Sequence, residues 1–174
     1  MDFFTHLSRR FPYLPIIAED LGLITQDVKD VMHHFGFPGM KILLFAFGPD
    51  MPHNPYIPRN FPKNCVAYTG THDNNTAKGW FDQDASQDDK QRLFRYLGRE
   101  VSADEVPWEL IRLLMMSAAD TVILPLQDVL GLGSEARMNT PATKKDNWAW
   151  RYAPDQITPV IAGRLRELTE VSGR

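Results

Sequence analysis

Short apolar runs alternate with mixed, helix-like segments along the chain. Residues 2–10 pattern as an amphipathic helix with Phe3, Phe4 and Leu7 on one side. Pro12 and Pro15 end it, and Leu14–Ala18 reads as a short buried strand that stops at Glu19-Asp20. Thr25 suits an N-cap, with Asp27 in the first turn of a helix running to about Phe35. Gly36 and Pro38 close that helix. Met40–Phe47 is nearly all apolar and reads as a second strand. A loop rich in Pro and Asn covers 48–64, and Cys65–Thr69 is a third strand. Ser86 with Asp89 resembles a capping box for a helix ending near Gly98. Pro107 suits the first position of a helix to about Ala118. Thr121–Leu126 is a fourth strand, 127–151 is irregular, and Thr158-Pro159 opens a last helix to about Val171.

Strands that are apolar throughout and separated by helices argue for an α/β fold, a parallel sheet covered on both faces. Four such strands fit a small open sheet or half of a (β/α)8 barrel. In both architectures ligands gather at the C-terminal ends of the strands. The acidic residues Glu19 and Asp73 fall at such ends.

Composition narrows the function classes. At 174 residues, 43% hydrophobic and 24% charged, the chain has the size and balance of one soluble domain. The net charge is −3 and Lys and Arg are dispersed, so no basic stripe for nucleic acid is present. The single cysteine, Cys65, permits no internal disulfide and reads as a buried, inert thiol. No signal-peptide pattern and no apolar run of membrane-spanning length are found, which points to the cytoplasm and to no membrane partner. His33 and His34 are adjacent on a helix and face different directions, so no metal-ligand cluster is expected, and no cofactor.

The polar stretch YTGTHDNNT, residues 68–76, leaves the third strand directly. In a parallel sheet Glu19 and Asp73 share one rim two strands apart, with backbones roughly 10 Å apart. Paired carboxylates at that range suit glycoside chemistry: one protonates the leaving oxygen, the other stays charged against a developing oxocarbenium ion. A Glu held against apolar residues suits the acid role, and an Asp beside a hydrogen-bonding His suits the anionic one. The same two positions also suit loop caps. Asp20 should point to the other side of the chain and act structurally. Asp128 suits a loop cap or an orienting role. Among aromatic residues able to stack on sugars, Phe45 and Phe47 read as core. Trp148 and Trp150 suit packing of the last helix, and Trp80 suits either core or sugar contact.

AEDLG at 18–22, FGFPGMKILLFAF at 35–47, YTGTHDNNT at 68–76, QDVLGLGSEARMN at 127–139 and NWAWR at 147–151 together resemble the 4-α-glucanotransferases, the amylomaltase or disproportionating-enzyme family. The resemblance extends over residues 1–174 as a single region. It implies a (β/α)8 barrel with helices outside and a retaining transfer of α-1,4-glucan segments between maltodextrins, with hydrolysis the near competitor. It makes Glu19 the general acid/base and Asp73 the carboxylate that orients the reacting sugar. His72 and Asn139 become glucan contacts, and Trp80 a candidate for another. The family's nucleophile is an Asp in an R-x-D-H motif, and this sequence contains none. The expectation is therefore the C-terminal part of the catalytic barrel, strands five to eight, with the N-terminal half absent and the chain inactive by itself. Such a piece would self-associate through its sheet edges or bind a complementary half. A non-catalytic glucan-binding or structural fragment is the other reading.

Overall fold

A computed structural model describes residues 2–174. Three strands, β1 (Gly39–Ile42), β2 (Cys65–Tyr68) and β3 (Thr121–Ile123), form a parallel sheet in that spatial order. Gly39 faces Cys65 and Ile42 faces Tyr68; Tyr68 in turn faces Ile123. Two 3-10 turns, Leu43–Phe45 and Pro58–Asn60, lie on the β1–β2 connection, and helices account for the other ordered elements. These are α1 (Asp2–Arg10) and α2 (Gln26–Phe35) before β1, then α3 (Ala77–Gly79), α4 (Gln87–Leu97) and α5 (Val106–Met115) between β2 and β3. α6 (Leu126–Val129) and α7 (Pro159–Ser172) follow.

Local chemistry explains the helix ends. Ser86 Oγ accepts the Asp89 N–H and the Asp89 carboxylate accepts the Ser86 N–H, closing the expected capping box. Pro107 lies in the first turn of α5, and Thr158 caps α7 through the Ile161 N–H. Gly36 ends α2 at φ 69, a backbone state that favours glycine. Thr25 has the extended backbone of an N-cap, yet its side chain caps no backbone N–H.

Three expected strands are corrected. Leu14–Ala18 forms no strand; it runs alongside β1, joined by the Ala18 N–H donating to the Pro38 carbonyl at 2.9 Å. Its proline, Pro15, removes a ladder donor. Met40–Phe47 is a strand only to Ile42; Leu43–Phe45 then coils into a 3-10 turn. That turn inverts the outcome for one aromatic: Phe47 is buried, whereas Phe45 is 43% exposed. The fourth run likewise stays extended only to Ile123, and Leu126 already begins α6.

The core lies between β1, β2 and the helices α3 to α5, around Ile42, Leu43, Phe47, Leu93, Leu110 and Leu114. Trp80, expected as a candidate sugar contact, belongs to this core. It is buried, follows α3 directly and meets the Phe47 ring at 5.9 Å. The last helix packs on α5 through Ile161, Leu168 and Trp108, with Arg164 over the Trp108 ring, so neither Trp148 nor Trp150 fills the expected role there. No helix among the described residues is long and apolar enough to cross a membrane.

Asp20 turns away from the strand-exit rim, as expected of the residue after Glu19. Its Oδ1 accepts the Met40 N–H at 2.6 Å and so ties the AEDLG segment to β1. A side chain at position 39 would obstruct this: a Cβ there would stand 2.5 Å from Asp20 Oδ2.

Two stability outcomes follow. Gly39→Ala should displace Asp20 and cost about 1–3 kcal/mol. Gly163→Ala, where a Cβ would meet nothing within 4 Å, should instead stabilise α7 by about 0.5–1 kcal/mol. Urea titration of both variants checks the opposite signs. Trp80→Ala should cost about 3–5 kcal/mol as a core truncation, against less than about 1 kcal/mol for Trp148→Ala, which is half exposed.

Candidate active site

The strand exits open onto one cavity of about 780 Å³. Met40, Tyr68 and Ile123, one from each strand, form its apolar floor, and Glu19, His72 and Asp73 stand on its wall. The two carboxylates predicted to share a rim therefore do. Glu19 arrives on the Leu14–Ala18 segment beside β1, and Gly22 at φ 93 turns the chain away just after it. Glu19 is exposed; these residues do not bury it among apolar side chains as the acid role was expected to require.

Asp73 is held from several directions. Asn139 Nδ2 donates to its Oδ1 at 2.6 Å, and Nε2 of His72 stands 3.3 Å from the same oxygen. Asp73 Oδ2 takes no hydrogen bond from the described residues. Its backbone carbonyl accepts from Arg137 Nη2 at 2.7 Å, and Arg137 Nε donates to the Asn139 carbonyl at 2.8 Å. The Asn139 N–H donates to the His72 carbonyl. The guanidinium thus staples the histidine-aspartate loop to the SEARMN segment. Within the loop, Asn74 Oδ1 accepts the Thr71 N–H, a local turn of the kind asparagine favours.

The THD loop hangs between two buried residues, Thr69 and Ala77. Asp128 reaches both. Its carboxylate is 1% exposed, with Oδ2 accepting from the Thr69 hydroxyl and Oδ1 from the Ala77 N–H at 2.7 Å. Burial pushes its carboxyl pKa up, and the two donors oppose that rise. Of the two roles foreseen for Asp128 the cap is visible: it accepts the first N–H of α3, and it also binds the Thr69 hydroxyl at the strand end.

Sequence reasoning missed two aromatic walls. Phe45 lines the cavity, edge-on to Tyr56. Trp148 lines it too, its ring 5.0 Å from His72 and tilted by 36°. Trp148 has φ 61, an unusual state for a large side chain. It is secured by its N–H donating to the Met138 carbonyl at 2.7 Å. Arg137 carried no signal beyond its place in SEARMN, since an arginine that binds two carbonyls follows no spacing rule. Trp80 is not on the cavity wall. Among the described residues no group of three His, Cys, Asp or Glu is arranged to hold a metal ion.

Comparison with known proteins gives one consistent result. The family model described as 4-alpha-glucanotransferase matches residues 1–158. A 4-alpha-glucanotransferase of Synechocystis sp. is 52% identical over 162 residues, covering 92% of this chain and 32% of that protein. The Thermus thermophilus 4-alpha-glucanotransferase is 45% identical over 179 residues, covering 98% of this chain and 35% of that protein. Among solved structures, amylomaltase from Streptococcus agalactiae in complex with acarbose superposes with a TM-score of 0.92 at 33% identity, over 99% of this chain and 34% of that one. Amylomaltase from Corynebacterium glutamicum, at 21% identity and a TM-score of 0.60, shares the fold. The chain spans about a third of the length of these relatives. Its parallel strands and outer helices are those of the amylomaltase (β/α)8 barrel. The family model and these relatives show that the chain belongs to the 4-α-glucanotransferase family.

Proposed function

We propose that this chain forms the acid/base and sugar-orienting wall of a retaining 4-α-glucanotransferase site, built on barrel strands five to eight. The observation that carries this reading is the convergence of Glu19, His72 and Asp73 on one cavity at the strand exits. Glu19 donates a proton to the glycosidic oxygen of an α-1,4-glucan as that bond breaks. Its carboxylate then takes the proton of an incoming 4-hydroxyl, which makes the new bond. Exposure of Glu19 in this chain fits a group that must exchange protons with two sugars in turn. Asp73 presents Oδ2 to the hydroxyls of the reacting ring while Asn139 and His72 occupy Oδ1. Trp148 and Phe45 supply flat apolar surfaces against neighbouring glucose units. Water as acceptor gives hydrolysis by the same residues.

The covalent step needs a carboxylate nucleophile on the opposite side of the ring. The R-x-D-H motif that carries it in the family does not occur in this sequence. Transfer therefore needs a further polypeptide segment, and a complementary half is the partner. Exposed Tyr13, Leu14, Ile17 and Ile123 give such a partner an apolar surface to cover. We place the assembly in the cytoplasm; plant relatives are described as chloroplastic or amyloplastic. A purely glucan-binding role through Trp80 has no support from the burial of that ring.

The 174-residue chain incubated with maltotriose should release no glucose and make no longer maltodextrins. It should bind acarbose by calorimetry, with Asp73→Ala weakening binding about tenfold or more. Glucose release with chain lengthening, abolished by Glu19→Gln, would overturn the assignment of the nucleophile elsewhere. Acarbose binding unchanged by Asp73→Ala and Asn139→Ala would overturn the site.

A further inference from the structure

The seven-residue loop Gly70–Thr76 carries His72 and Asp73, and its two ends have different needs. The first follows β2, whose ladder ends at Tyr68; beyond it the Thr69 carbonyl still accepts the Leu44 N–H. The second starts α3, whose first N–H groups have no partner within the helix. Thr76 Oγ1 serves the Gly79 N–H, which leaves the Ala77 N–H to be satisfied from outside. Asp128 does this with one oxygen and accepts the Thr69 hydroxyl with the other. A carboxylate this deeply buried is costly unless its charge is compensated. No Lys, Arg or His among the described residues pairs with it. Both its oxygens are instead committed to the two residues that bracket the loop.

We propose that Asp128 is a positioning residue that fixes where His72 and Asp73 stand by tying Thr69 and Ala77 to one carboxylate. The inference deepens the functional reading above and rests on it only for the consequence to glucan binding. Arg137 and Asn139 hold the middle of the loop, while Asp128 sets the separation of its ends. All three come from the chain after β3, so one stretch of sequence determines the shape of another.

Asp128→Asn keeps the bridge. Its Oδ1 still accepts the Ala77 N–H, and its Nδ2 donates to the Thr69 hydroxyl oxygen, which turns from donor to acceptor. Asp128→Ala removes both links, and Thr69→Val removes one. Amide hydrogen exchange of the 174-residue chain reads the anchor directly. Asp128→Ala should speed exchange across residues 70–77 by about tenfold, with Val66, Ala67 and Leu110 unchanged, while Asp128→Asn stays close to the parent. Thr69→Val should give a smaller acceleration confined to the same residues; it also carries the test if Asp128→Ala does not fold. Acarbose affinity should fall about tenfold in Asp128→Ala and return in Asp128→Asn. Acceleration spread evenly over the protein in Thr69→Val, or Asp128→Asn as impaired as Asp128→Ala in loop exchange, would overturn the proposal. Loop-specific exchange with no acarbose binding in the parent chain would uphold the anchor and sink the glucan reading instead.

Discussion

The hydrogen bonds between the Gly70–Thr76 loop and the chain that follows β3 are the constraint on which the site depends. β2 delivers the histidine and aspartate to the rim, but a strand cannot aim side chains that lie several residues beyond its last ladder bond. Aim is supplied from the next strand's exit. Asp128 grips the ends of the loop, Arg137 its backbone and Asn139 the carboxylate itself. Parallel pairing makes this possible, because it places consecutive strand exits side by side on one rim.

Glu19 stands on the opposite margin and is fixed by separate means. No ladder holds its segment; one backbone bond from Ala18 and the Asp20 side chain dock it on β1. One cavity wall is thus a network of mutually bonded side chains, and the other is an extended segment attached at two points.

The sequence conveyed elements more faithfully than it conveyed their ends. Helices appeared where caps and prolines marked them, since Ser86 and Thr158 accept N–H groups three positions away and Pro107 fixes a helical φ in a first turn that needs no N–H from it. The parallel sheet was legible from apolar runs, and Glu19 and Asp73 from their place at the ends of such runs. Apolarity could not distinguish a strand from the 3-10 turn at Leu43–Phe45, which buries Leu43 and Leu44 but leaves Phe45 exposed. That ambiguity concealed Phe45 on the cavity wall and, with it, half of the aromatic surface. Trp148 was illegible for another reason: its position depends on a left-handed backbone and on a carbonyl ten residues earlier in the chain. Trp80 looked like a sugar contact because it follows the polar loop closely. A turn of helix intervenes and carries the ring to the inner side.

The crowding of Asp20 against the bare Cα of Gly39 links two positions nineteen residues apart. Neither can drift independently: a methyl group at 39 evicts the carboxylate, and the carboxylate bars any methyl group. Among descendants of this sequence the pair should be inherited or abandoned as a unit. The small residue that opens β1 then records the history of the strap that carries Glu19.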